Sequence, residues 1–194
     1  TRSGPFTRRV YALLNPSASA SQRVVLLGPS HRVPLLGIAS SSKDAFQTPL
    51  GDIPLDKATI QQLNQLPFVD SYDEAHQQEH SLEVQLPFLQ KVLNDFTLVP
   101  LVIGQVDDQQ ASELIETPWQ TPDTLILIRS DLSHYLDYSK AKQCDKATCQ
   151  AIEDLKPQNI NYEQACGRSG IAGMLLSAQK HHLQVKTLDL RNSG

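Results

Sequence analysis

Three strand-sized apolar runs, each closing on a polar turn and separated by segments with helical spacing, restrict this chain to an α/β architecture. Residues 23–28, Phe96–Ile103 and Thr124–Ile128 are largely apolar rather than alternating, the pattern of buried parallel strands. Between and after them the spacing predicts helices. Asp56 caps a segment that ends at Leu66, residues 82–93 carry an apolar face, and Asp107 caps a segment that ends at Ile115. Two further helices are predicted at about residues 139–155 and 169–181, and a closing strand at 185–190. Residues 36–53, punctuated by Ser40-Ser41-Ser42, Pro49 and Gly51, read as a small hairpin-like excursion beside the main sheet. Pro87 bends the 82–93 helix or marks a register change near its start. The alternation predicts one α/β domain, an open central sheet with helices on both faces.

A chain of 194 residues with 40% hydrophobic and 20% charged residues is long enough to bury a sizeable core, and a single domain over residues 1–194 is expected. The net charge of −4 argues against a nucleic-acid partner, which rewards clustered Lys and Arg. The longest apolar stretches are far too short to cross a bilayer and no signal-peptide pattern opens the chain, so no membrane association is expected. Cys144, Cys149 and Cys166 form no CxxC pair and are odd in number, which fits a reduced, cytoplasmic setting. The chain opens at Thr1 and stops at Gly194 soon after an apolar run, so both ends read as cut.

Three polar clusters fall where such a scaffold gathers function: Gly28-Pro29-Ser30-His31, Glu79-His80-Ser81-Leu82-Glu83 and Ser130-Asp131-Leu132-Ser133-His134, with Cys166-Gly167 further on. His31 follows the first strand; Asp131 and His134 follow the third. Both loops lie at the carboxyl ends of strands, the ligand side of an open α/β sheet. If residues 79–83 form a helical turn, Glu79 and Glu83 share a face and His80 neighbours Glu83. A buried carboxylate there would fix the tautomer of a metal-binding imidazole. Cys166 precedes the helix near Ser169, whose N-terminus stabilises a thiolate that points toward it. Plainer readings stand beside these: His31 at the surface, Asp131 capping a turn with His134 against Tyr135, Glu79 and Glu83 solvated, Cys166 a small buried residue. Cys144 and Cys149 take the plainer reading, and His76, His181 and His182 are read as surface residues.

GPSHRVPL at residues 28–35, EHSLEVQLPFL at 79–89, SDLSHY at 130–135 and ACGRSGIAGMLL at 165–176 closely resemble the Memo-like protein family, in the same order from Ser3-Gly4-Pro5 onward. The resemblance implies a fold similar to class III non-haem iron extradiol dioxygenases. It also implies a metal site of two histidines and a cysteine, with His31 as the second histidine and Cys166 as the thiol. The implied cofactor is a divalent transition metal, iron or copper, with zinc also compatible with thiolate and imidazole. His80, Asp131 and His134 would then serve catalysis, and Glu79, Glu83, Ser130 and Arg168 would meet the substrate. The family's first histidine belongs to a Pro-His-Ala-Gly-Tyr motif expected shortly before Ser3-Gly4-Pro5, and this chain has no such motif. Arg129 and Arg168-Ser169-Gly170 are smaller departures that alter pocket charge.

Three functions follow as expectations. One is a metal-dependent, oxygenase-like redox enzyme, with the metal on His31 and Cys166 and protons moved by His134 or His80. Another is a non-catalytic module that keeps the pocket and binds a peptide or protein, a role associated with animal members of the family. The last dispenses with metal and uses Cys166 as nucleophile, with His31 or His134 as base and Asp131 in support. The ligand in each case is a small molecule or a peptide.

Overall fold

The computed structural model describes residues 22–93, 95–121 and 123–190; the Ser3-Gly4-Pro5 segment lies outside them. In chain order the first elements are β1 (Gln22–Pro29), β2 (Ile38–Ser40), β3 (Ala45–Thr48), β4 (Gly51–Pro54), α1 (Lys57–Leu63) and β5 (Val69–Ser71). Next come α2 (Glu74–Gln77), α3 (His80–Glu83), α4 (Leu86–Val92), β6 (Phe96–Ile103) and α5 (Asp108–Trp119). β7 (Thr124–Ile128), α6 (Tyr138–Glu153) and α7 (Arg168–Lys180) follow.

Five strands form one mixed sheet in the order β5-β2-β6-β1-β7. The three long apolar runs are its parallel centre and edge: β1 pairs with β6 on one side and β7 on the other. Val24, Val25, Leu26 and Leu27 are fully buried between them, as continuous apolar runs require. Pro100 lies inside β6 without breaking it. Leu98 turns its backbone away from β1 to accept from Asp56 N at 2.9 Å, and Pro100, two residues on, turns the same way. That side is open there, because β2 pairs only with Val102 and Ile103, so the missing proline N–H leaves no ladder bond unmade.

The register shows which helices cover which face. Side chains along β1 alternate between faces. A Cβ on Gly28 would lie 2.6 Å from Ser81 Oγ of α3. Leu27 and Pro29 point the other way, in register with Ile128 and Ile103, and a Cβ on Gly170 of α7 would lie 3.1 Å from both isoleucines. Helices therefore pack on both faces, α3 on one and α7 on the other. On the α7 side α5 joins it through a buried Ser112–Ser177 hydroxyl pair at 3.0 Å. None of the helices among the described residues is long and apolar enough to cross a membrane.

The capping residues act as the sequence suggests: Asp56 accepts from Thr59 N at 2.9 Å, and Asp107 forms a capping box with Gln110. Four expectations need correction. The 82–93 helix is two pieces, α3 and α4, with Pro87 in the first turn of α4, where its missing N–H costs nothing. The 36–53 region is not wholly an excursion, since β2 joins the main sheet and only β3 and β4 form the separate hairpin. β5, three residues long, was not anticipated. The 185–190 segment forms no strand; the Thr187 N–H is taken by Glu153 Oε1 at 2.8 Å, which ties the segment to α6 instead of a sheet.

Asp73 holds the turn after β2, accepting from Ser41 Oγ at 2.8 Å, Ser42 N at 3.0 Å and Ser42 Oγ at 2.5 Å. Partial burial raises its pKa, but these donors and the Lys43 charge outweigh it and hold the pKa at about 2, against 3.8 ordinarily. A folded pKa below the unfolded one gives stability that is complete above the unfolded value and is lost as pH falls through the folded one. Asp73→Asn is therefore expected to cost about 1–2 kcal/mol at neutral pH, with the gap from wild type closing between about pH 4 and about pH 2. Urea unfolding across that range checks it; a gap independent of pH would contradict it.

Candidate functional site

The carboxyl ends of β1, β6 and β7 open into a cleft of about 790 Å³. One wall is the loop after β1, from Val33 to Leu36, clipped to the loop after β6 by Gln105 N to Leu35 O at 2.8 Å and Gly37 N to Gln105 O at 3.0 Å. Gly104 makes that clip possible, because a Cβ there would overlap the Leu35 carbonyl. Ile103, Ile128 and Tyr162 extend the apolar lining, and Ser30, Arg129 and Cys166 supply polar groups. Leu36 and Tyr162 are 83% and 60% exposed, although apolar side chains of this size are usually covered.

His31 leaves the end of β1 and is held by Glu79, the N-cap of α3. Glu79 is 5% exposed and accepts from His31 N at 2.7 Å, His31 Nδ1 at 3.0 Å and Ser81 N at 2.8 Å. Burial pushes its pKa up, but the donors outweigh burial and hold it below the usual carboxylate value. An ionised carboxylate only accepts, so Nδ1 carries the shared proton, and whenever the ring is neutral its lone pair lies on Nε2. Among the described residues, Nε2 has no hydrogen-bond partner.

Cys166 stands between the loop after β7 and the start of α7. Its sulfur accepts from Asp131 N at 3.2 Å and lies 3.8 Å from Ser130 Oγ and 3.9 Å from Arg129 Nη1. The sulfur thus takes its backbone donor from the β7 loop and not from α7. The nearby Gly167 N–H is already given to Ser130 Oγ at 2.9 Å. Arg129 in turn pairs with Asp131 at 2.7 Å, and His134 Nε2 lies 3.7 Å from the same Asp131 oxygen.

Of the expected site residues, Cys166 lines the cleft; His31, Glu79, Ser130, Asp131 and His134 lie outside its lining. His80 and Glu83 pair with each other at 3.1 Å and are 69% and 70% exposed, away from the large cleft. Glu83 and Glu79 instead line a smaller cavity of about 210 Å³ beside His76. His76, read as a surface residue, is largely buried, edge-on to Phe46 at 5.7 Å, and burial pushes its pKa down. Arg168 does not line the cleft; it pairs with Asp108, donates to Ile160 O and sits over the Tyr162 ring at 5.7 Å. Leu36, Gly104, Gln105 and Tyr162 line the cleft without having been singled out in the sequence. The one advance signal was the apolar Val33-Pro34-Leu35-Leu36 run directly after a polar loop.

The donor set can be weighed for a metal. His31 offers Nε2 with Nδ1 engaged by a carboxylate, the arrangement that orients metal-bound imidazoles, and Cys166 offers sulfur. These two donors fit a borderline or soft divalent ion. Among the described residues no group of three or more His, Cys, Asp or Glu side chains shares one metal position. Among the described residues the hydrogen-bond partners of the Cys166 sulfur are Asp131, Ser130 and Arg129, with no imidazole among them.

A family model described as Memo-like protein matches residues 1–194. A MEMO1 family protein of Aquifex aeolicus is 34% identical over 146 residues, covering 73% of this chain and 55% of the relative. A memo-1 homolog of Caenorhabditis elegans is 31% identical over 196 residues, covering 87% of this chain and 56% of the relative. The chain thus spans about half the length of these two relatives. A MEMO1 family protein of Archaeoglobus fulgidus is 32% identical over 204 residues, covering 99% of this chain and 76% of the relative. Among solved structures, an uncharacterized protein of Escherichia coli K12 matches with a TM-score of 0.59 at 14% identity, covering 91% of this chain and 80% of that one, which is a likeness of fold.

Replacing Glu79 by Gln removes the charge that three donors converge on and turns an amide N–H toward one of them. The expected cost is about 1–3 kcal/mol at neutral pH. The folded pKa of Glu79 lies below its ordinary 4.5, so the difference should be complete above that value and shrink as pH falls below it. Thermal unfolding of wild type and Glu79→Gln checks this; equal stability at neutral pH would contradict it.

Proposed function

This chain belongs to the Memo-like protein family, and from that premise we propose that its cleft takes a small molecule and that Cys166, on the lining, and His31, on the loop beside it, are protein ligands of a divalent transition metal. The observation that carries this reading is the Glu79–His31 pair. A carboxylate 5% exposed grips Nδ1 and leaves Nε2 as the ring's only available donor. His31 itself is at the surface, its side chain 40% exposed, so the fixed ring presents Nε2 outward, where a ligand can reach it.

Thiolate with imidazole suits iron, copper or zinc, and such an ion supplies Lewis acidity or, for iron and copper, redox chemistry. The chain's own residues have separable tasks. Glu79 sets the tautomer and orientation of His31. Asp131 N and Ser130 Oγ hold the Cys166 sulfur, and Arg129 balances charge beside it. His134, partly exposed beside Asp131, is the proposed proton carrier. The apolar walls exclude water from the ligand. With iron or copper bound, the reaction class is oxidation–reduction of a bound small molecule.

A second reading, a recognition module for a peptide, is favoured by the exposed apolar residues Leu36 and Tyr162 on the cleft. It predicts ligand binding that survives His31→Ala and Cys166→Ser.

Elemental analysis of the full-length protein, purified without oxygen, tests the leading reading. The expected result is a near-stoichiometric transition metal whose content falls about tenfold or more in His31→Ala and in Cys166→Ser, and is retained in His80→Ala. Metal content unchanged by the first two variants, or a wild-type protein that takes up no iron, copper or zinc, would overturn it.

A further inference from the structure

We propose that Arg129 selects the ligand of this cleft, and that the ligand class is a small monocarboxylate with an apolar body. This rests on the cleft being the ligand site, as proposed above. Among the described residues lining it, Arg129 is the one charged side chain. The rest of the lining is dominated by aliphatic groups such as Val33, Leu35, Leu36, Ile103 and Ile128, with Tyr162 as the aromatic member. A charged group on an apolar lining favours ligands that bring an opposite charge or a hydrogen-bond acceptor to it.

The guanidinium is already in position. The Arg129 backbone donates to Leu27 O at 2.8 Å, Nη2 donates to Asp131 at 2.7 Å, and Nη1 lies 3.9 Å from the Cys166 sulfur. Its side chain is only 20% exposed. Among the described residues two of its N–H groups are engaged in this way, and the rest of the fork can meet a planar anion. The charge balance sets the head group. Asp131 offsets much of the Arg129 charge, and the chain as a whole carries −4, so a singly charged, bidentate acceptor is tolerated better than a phosphate dianion. The volume of about 790 Å³ lies within the range of small-molecule sites and leaves room for an apolar body.

Calorimetric titration of the full-length protein with 4-phenylbutanoate and with its uncharged primary amide tests this. The acid is expected to bind about tenfold or more tightly than the amide. Arg129→Gln should erase that ratio, Arg129→Lys should retain part of it, and Asp131→Asn, which frees the guanidinium, should widen it. Arg32→Gln, exposed on the neighbouring loop and outside the lining, should change nothing. Equal binding of acid and amide, a ratio that persists in Arg129→Gln, or no binding of the acid would each overturn the inference. Repeating the titration on protein of known metal content separates the two proposals. Metal retained with no preference for the acid overturns the role of Arg129 alone. Preference for the acid in a protein that takes up no metal overturns the metal reading alone.

Discussion

A buried carboxylate is costly unless its lone pairs are met, and the meeting of Glu79 with the end of β1 is the constraint on which the rest of the site depends. Leaving such a charge unpaired costs several kcal/mol, more than any single surface contact here returns. Glu79 caps α3, and the donors it draws in from His31 bring the loop after β1 down onto that helix. The approach is close enough that Gly28 has no room for a side chain beside Ser81. One interaction thus fixes a helix start, a loop course and the orientation of an imidazole.

The other side of the cleft is built by a different device. Ser130 Oγ accepts from Gly167 N, and Cys166 N donates to Asp131 O at 3.2 Å, so the loop after β7 and the turn before α7 are stitched together around the sulfur. β1 and β7 are paired neighbours, which brings the two stitched corners to adjacent strand ends. The sheet supplies the spacing; the loops supply the chemistry. This division is why a parallel arrangement tolerates chemistry at its carboxyl ends without weakening its core.

The strands β6 and β7 could be delimited from sequence because a continuous apolar run closed by a polar turn has few alternative fates. β2 and β5 could not, since three residues carry no usable period and their place in the sheet is decided by partners far along the chain. Residues 185–190 read as a closing strand, but Glu153 captures the Thr187 N–H, so tertiary bonding overrides the expectation. In the site, the loop positions of His31, Asp131 and Cys166 were legible from where they follow strands or precede a helix. The partnerships were not. Glu79 reaches His31 across 48 positions, and Ser130 reaches Cys166 across 36, distances over which a single sequence carries no pairing signal.

The account turns on whether His31 and Cys166 bind one ion. X-ray absorption at the edge of the metal carried by the full-length protein reads this directly. The account expects a sulfur neighbour at about 2.3 Å together with imidazole scattering, the sulfur vanishing in Cys166→Ser. A shell of oxygen and nitrogen alone, the same in wild type and variant, would contradict it.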